Sequence, residues 1–191
     1  MVFKTTPAKD IIRGIYDRAI IADFQRRAGC TLSYFGLPGA LMLDILCWKE
    51  FLRHFAAVER DQDLIEHRLL STAFKHNIDR QLELLSGDID EVMTKWEDAN
   101  GKVPSLRSYE VVNLDYEGGM MYKDLRGSSR RLAAIRHMIQ RQANEQQDFL
   151  LLMTVNTRNR DSKEFDNALQ DIQDQLSDYQ IDASEVVDWY K

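Results

Sequence analysis

The sequence predicts an α/β domain in which a mostly parallel β-sheet carries helices on both faces. Two observations lead there. Short β-prone runs alternate about five times with segments of helical periodicity along the 191 residues, and glycine, proline or an acid cuts most runs just before the next helical segment. One run, Phe149–Val155 (FLLLMTV), is apolar throughout and reads as a central strand buried on both faces.

Taken in order, residues 8–29 place Ile11, Ile12, Ile15, Ile20, Ile21 and Phe24 at helical spacings and stop at Gly29, which predicts an amphipathic helix. Thr31–Phe35 (TLSYF) predicts the first strand. It breaks at Gly36-Leu37-Pro38-Gly39, and helical periodicity resumes over 40–53 through Leu41, Ile45, Trp48 and Leu52. Phe55–Val58 is the second strand, closed by Glu59-Arg60-Asp61 and followed by a helix over 63–76. Gln81–Leu85 is the third, with Ser86-Gly87-Asp88 leading into a helix over 89–96 and a loop over 100–105. Tyr109–Leu114 (YEVVNL) is the fourth, followed by Asp115-Tyr116-Glu117-Gly118-Gly119 and a helix over 128–145. Beyond the fifth run, an acidic stretch carries Phe165, Leu169, Ile172, Leu176 and Tyr179 at spacings of a helix whose apolar stripe must dock. The chain divides into an N-terminal helical segment (1–30), a core (31–160) and an acidic helical segment of the same domain (161–191).

Composition narrows the class. Hydrophobic residues make up 44% and charged residues 29%, with only 9 glycines and 3 prolines, so disordered, collagen-like and low-complexity classes are excluded. No apolar run is long enough to span a bilayer and the first residues lack the apolar core of a signal peptide, so a cytoplasmic protein is expected. Cys30 and Cys47 make no disulfide framework and are expected to be free thiols, and His54, His67, His76 and His137 lack metal-site spacing, so no metal is expected. The net charge of −6 hides an uneven distribution. Asp161–Lys191 holds nine acids against two lysines, whereas Lys123–Arg141 holds six cations against Asp124. The basic stretch, with Lys123, Arg126, Arg130 and Arg131 next to the fourth strand, is a candidate phosphate-contacting patch that Arg158 and Arg160 would extend; a solvated helix face is the alternative.

Ligands of such sheets bind beyond the carboxyl ends of the strands, and those ends carry Gly36–Gly39, Glu59, Asp88 and Asp115. Glycine lets backbone approach a ligand, and an acid after the second strand suits the two hydroxyls of a ribose. The phosphate motifs G-x-G-x-x-G and G-x-x-x-x-G-K-[ST] are absent. A ribose acid without a phosphate loop favours a nucleoside ligand lacking a triphosphate, and S-adenosylmethionine fits. Each residue also has a plainer reading: Asp88 as a helix cap, Glu59 in a surface ion pair, Tyr116 as a packed aromatic under a turn.

From TLSYFGLPGALMLDI through FAAVERD and LLSGDIDEV to VVNLDYEGG, the chain resembles the class I, Rossmann-like S-adenosylmethionine-dependent methyltransferases over roughly 31–155. The resemblance implies that Phe35, Gly36, Leu37 and Gly39 line the methionine part of S-adenosylmethionine. It also implies that Glu59 holds the ribose with Arg60 at the rim, and that Asp88 and Ile89 meet the adenine. The fourth segment resembles the acid–aromatic motif of enzymes that methylate amino groups of bases, without its proline. Asp115 would accept hydrogens from the acceptor, Tyr116 would stack it and Asn113 would join them in a shifted register. A nucleic-acid base, in RNA or DNA, is therefore the expected acceptor. The alternative is a catalytically silent nucleoside-binding or scaffolding subunit acting through a partner. The family's sheet has seven strands, and only about five are accounted for here, so the expectation is a fragment, a shortened sheet, or an edge completed by a second copy or a partner subunit.

Overall fold

The computed structural model describes residues 6–116 and 130–154, together with 170 and 174. Among them, β1 (Leu32–Gly36), β2 (Leu52–Glu59), β3 (Leu82–Ser86), β4 (Val111–Asp115) and β5 (Leu150–Thr154) form one sheet in the order β3-β2-β1-β4-β5. Every neighbouring pair is parallel. Parallel neighbours need crossovers, and the intervening helical segments supply them. The order reverses between β1 and β4, which puts the switch point, and the crevice it opens, beside Gly36 and Asn113.

The first helix starts where Thr6 caps it and Pro7 pre-sets its first turn: α1 (Pro7–Ile11) passes through a π-helical turn (Ile12–Asp17) into α2 (Arg18–Ala28). Gly29, at φ 67°, ends it in the left-handed conformation that glycine adopts freely. The next helix, α3 (Leu43–Trp48), is shorter than the 40–53 periodicity predicts. Gly39 and Met42 are both left-handed before it, and Leu52 already pairs with Leu32 in the sheet after it. α4 (Gln62–Leu64) continues through a second π-helical turn (Ile65–Leu69) into α5 (Leu70–Lys75). Then come α6 (Ile89–Lys95), capped by Asp88, and α7 (Arg130–Asn144).

Alternation along the strands builds two cores. Tyr34, Phe55 and Val111 face the first helix, α3 and α5, packing with Ile21, Ile45, Trp48 and Leu69. Phe35, Ala56, Val112 and Leu114 face the other way onto α6 and α7, packing with Val92, Met93, Ile135 and Ile139. Side chains of this size stabilise the fold by about 1.5–3 kcal/mol each when fully buried.

β5 corrects one expectation. Among the described residues it is the last strand of the sheet, paired only with β4, and Leu150–Met153 are half-buried. Among the described residues the apolar run thus ends the sheet and is half-buried, where a central strand buried on both faces was expected. Cys30 is exposed and Cys47 half-buried, both free. The acidic stretch expected over 161–191, apart from 170 and 174, lies outside the described residues, as do Arg158 and Arg160. No helix among the described residues is long and apolar enough to cross a membrane.

Candidate functional site

The carboxyl edge of the sheet can be built strand by strand. β1 ends at Gly36, where a Cβ would overlap the carbonyl oxygen of Asn113 on β4. That carbonyl accepts from the Leu37 N–H at 3.0 Å, so glycine is needed here first for the close approach of two strands. Gly39, at φ 63° with open space about it, serves the turn into α3. Phe35 departs from its expected role: it is fully buried, with its ring centroid 5.5 Å from Trp96 and 5.3 Å from Tyr109, so it is core. Successive strand residues point to opposite faces, and Phe35 falls on the α6/α7 side.

β2 ends at Glu59. Its Oε1 accepts from the backbone N–H groups of Arg60 at 2.9 Å and Asp61 at 3.1 Å, and Oε2 has no hydrogen-bond partner among the described residues. The carboxylate is thus oriented by the backbone with one oxygen left to receive. Arg60 is exposed, and Asp61 caps α4 by accepting from Asp63 and Leu64 N–H. After β3, Asp88 caps α6 through Oδ1, which accepts from the Asp90 N–H at 2.9 Å, so the helix-cap reading is realised. Ile89, expected against an adenine, packs in the α6/α7 core and is only 6% exposed. A depression of about 240 Å³ adjoins Asp88 between Gly87, Lys95 and Asp98. Charged and polar groups dominate its walls, unlike the apolar slot an aromatic base prefers.

β4 brings Asn113 and Asp115 to the side of the sheet that faces the first helix. Asn113 is buried; its Nδ2 donates to Asp44 Oδ2 at 2.8 Å and to the Tyr34 hydroxyl at 3.3 Å. It is therefore a structural link that ties β4 to α3 and to β1, not a group turned to a ligand. Asp44, a buried acid on α3, also accepts from Arg13 Nε, and Arg13 bridges to Asp10 at 3.2 Å. Desolvation would lower the pKa of Arg13, but its bond to Asp44 outweighs that and raises it, while burial raises the pKa of Asp44 against the pull of Arg13. Asp17, half-buried nearby, has its pKa pushed up to about 6 by desolvation and by the Asp44 charge, against the pull of Arg13. Asp115, by contrast, stays partly open at the edge, where Lys9 Nζ binds both its oxygens at 3.2 and 2.8 Å. Ion pairs this open contribute about 0–1 kcal/mol.

Two further expectations need correction. Tyr116 is not a stacking platform. It is buried, its hydroxyl donates to Asp90 Oδ1 at 2.7 Å, and Arg131 lies 4.3 Å over its ring. Burial, with the neighbouring Asp90, pushes the phenol far above its ordinary pKa, so it serves only as a hydrogen-bond donor. Arg130 and Arg131 do not form a phosphate-contacting patch of their own: Arg130 pairs with Glu91 at 2.5 Å and approaches Asp88 at 3.8 Å, and Arg131 approaches Asp90 at 3.8 Å. The acids of α6 offset the charge that the basic stretch suggested. Lys123 and Arg126, like Glu117–Gly119, lie outside the described residues.

Sequence reasoning missed Lys9, Arg13, Asp17 and Asp44. Two signals were available: Lys9 and Arg13 are one helical turn apart, and Asp44 interrupts the apolar LMLDIL of a helix that must face the sheet.

A parallel sheet reversing at β1/β4, with an oriented acid after β2 and a carboxylate after β4, defines a Rossmann-like domain of the kind found in class I methyltransferases. The precorrin-6y C5,15-methyltransferase of Geobacter metallireducens shares the fold with a TM-score of 0.51, over 91% of this chain and 76% of that one, at 15% identity. The precorrin 8w decarboxylase of Methanobacterium thermoautotrophicum is also similar, with a TM-score of 0.48 over 86% and 70% of the two chains, at 12% identity. The model of the PP_RS20740-like family matches residues 10–188, and the chain belongs to that family. No curated protein sequence matches it.

Proposed function

We propose that this chain is an S-adenosylmethionine-dependent methyltransferase with its cofactor along the carboxyl ends of β1, β2 and β3 and its acceptor at Asp115. The observation that carries this reading is Glu59, whose Oε1 is pinned by two backbone N–H groups while Oε2 has no partner among the described residues. A carboxylate fixed in this way can accept from a ribose hydroxyl through Oε2, which is what a ribose after the second strand asks of it. Backbone at Gly36 and Leu37 borders the same crevice, and Asp88 keeps one oxygen besides the one that caps α6. When bound, S-adenosylmethionine supplies an electrophilic methyl group. The chain's own part is to hold the ribose with Glu59 and to orient the acceptor with Asp115.

Calorimetry with S-adenosylmethionine and S-adenosylhomocysteine tests the cofactor. Glu59→Ala removes a hydrogen bond to a charged group and should weaken affinity roughly tenfold to a hundredfold. No heat from the unaltered protein at millimolar ligand overturns the reading. Transfer of a labelled methyl group then separates an enzyme from a silent nucleoside-binding subunit, which would bind without transfer. A nucleic-acid base as the acceptor rests, among the described residues, on Asp115 alone, since Tyr116 is buried and Arg130 and Arg131 are paired with α6. Methyl transfer to bulk RNA or DNA would sustain that finer reading, and transfer only to other acceptors would remove it.

A further inference from the structure

We infer that Asp44 is a positioning residue for the cofactor crevice: it holds the far end of the β1–α3 loop onto Asn113, whose carbonyl holds the near end. The inference deepens the methyltransferase reading and rests on it for the word cofactor.

The loop, residues 37–42, leaves β1 at the switch point and passes into α3. One residue of β4 fastens both of its ends. At the start, the Leu37 N–H donates to the Asn113 carbonyl at 3.0 Å; just past the finish, Asn113 Nδ2 donates to Asp44 Oδ2 at 2.8 Å. The Tyr34 hydroxyl accepts from the same Nδ2 at 3.3 Å, and Arg13 Nε donates to the other oxygen of Asp44, so both side chains are fixed in orientation. Through Arg13 the first helix joins the clamp.

The loop needs holding. Met42 is fully buried at φ 50°, a left-handed conformation that a residue with a side chain keeps only where its surroundings impose it. Its N–H closes a turn on the Gly39 carbonyl at 3.1 Å, so a shift at α3 is passed back toward Leu37.

Polarity separates position from stability. Asp44 and Asn113 are 6% and 5% exposed, each the polar exception in an apolar run, LMLDIL and VVNL. A buried ionic or polar group adds little net stability over an apolar residue of its size, but it is satisfied only where its partner meets it. Any other seating of the loop leaves a buried carboxylate or a buried amide unpaired. Apolar side chains at both places would pack without making that choice.

Hydrogen exchange and calorimetry on the full chain test the clamp, with Ile45→Ala as the matched control, since Ile45 is the next residue of α3 and is buried in the core. In the cofactor-free protein, Asp44→Ala should speed exchange of the Leu37 amide roughly tenfold beyond any change at the β2 amides, and Ile45→Ala should raise both alike. Asp44→Asn keeps an acceptor for Asn113 but loses the charge that Arg13 meets. It should restore Leu37 protection while urea unfolding stays easier than in the unaltered protein. S-adenosylhomocysteine affinity should follow Leu37, falling roughly tenfold for Asp44→Ala and returning with Asp44→Asn, whatever the unfolding midpoint. Leu37 exchange that rises no more than that of β2, a local effect as large in Ile45→Ala, or an affinity that follows the unfolding midpoint instead overturns the proposal. Should Asp44→Ala fail to fold, Asn113→Ala cuts the same bond from the other side and should free Leu37 in the same selective way; an unchanged Leu37 refutes the clamp. No heat from the unaltered protein sinks the methyltransferase reading, and Leu37 exchange still decides the clamp. Heat without selective exchange sinks only the clamp.

Discussion

The two helical segments that flank the carboxyl edge are fastened in opposite ways. α7 buries Ala134, Ile135, Met138, Ile139 and Gln142, and its leading arginines pair with α6 at the margin of that contact. No residue of α1 or of the turn after it is fully buried; they are tied down by Arg13 on Asp44, by Lys9 on Asp115, by the Trp48 indole N–H donating to the Arg13 carbonyl at 3.0 Å, and by continuity with α2, whose Ile21 lies in the core. The same residue types therefore differ in weight with their surroundings. Where apolar burial carries a helical segment, its charges are accessory; where the segment is only partly buried, as over α1 and the turn after it, the buried ion pair and the Trp48 hydrogen bond carry more of its attachment.

Breaking each fastening measures the contrast. Arg13→Ala leaves the Asp44 carboxylate buried without its counter-ion and should cost about 3–5 kcal/mol in urea unfolding, the largest effect of the set. Ile139→Ala opens a cavity between α7 and the sheet and should cost about 3 kcal/mol, whereas Ile15→Ala on the exposed face of the first helix should stay within about 0.5 kcal/mol. A loss at Ile15 as large as at Ile139 would erase the distinction. Asp17 offers a pH test. Its folded pKa of about 6 lies above the ordinary aspartate value, so the folded state holds its proton more tightly, and stability falls as pH rises through that window. Asp17→Asn should therefore stabilise the protein at pH 7 by about 1 kcal/mol, discounted for solvent contact, and should change little at pH 3.5, where both states are protonated. Smallest of all, Arg130→Ala should cost under about 1 kcal/mol and lose even that in high salt.

Much of this architecture was legible in the sequence because its signals are local. The runs TLSYF, QLELL and YEVVNL each became a strand within one or two residues of the expected bounds, since breakers such as Gly36, Gly87 and Asp115 act on their immediate neighbours. Strand rank in the sheet is not local, and FLLLMTV illustrates it: apolarity reports burial by whatever covers a strand and says nothing of which strands adjoin it. The site was legible in part for the same reason. Glu59, Asp88 and Asp115 fall at strand ends as expected, but their partners are set by the fold. Lys9 reaches Asp115 across 106 positions of sequence, and Arg131 settles on Tyr116 because α7 docks over α6. Reading Asp115-Tyr116 as a paired motif failed because consecutive strand-end residues point to opposite faces, one toward the crevice and one into the core.

Gly36 bears on how this protein would respond to saturation mutagenesis. Any side chain there collides with the Asn113 carbonyl, so the position is barred to the other nineteen residues by the meeting of β1 and β4 alone. A library selected only for soluble expression should already be depleted at 36, before any ligand is offered. Gly39, constrained by its backbone angle rather than by a neighbour, should still admit asparagine in the same library.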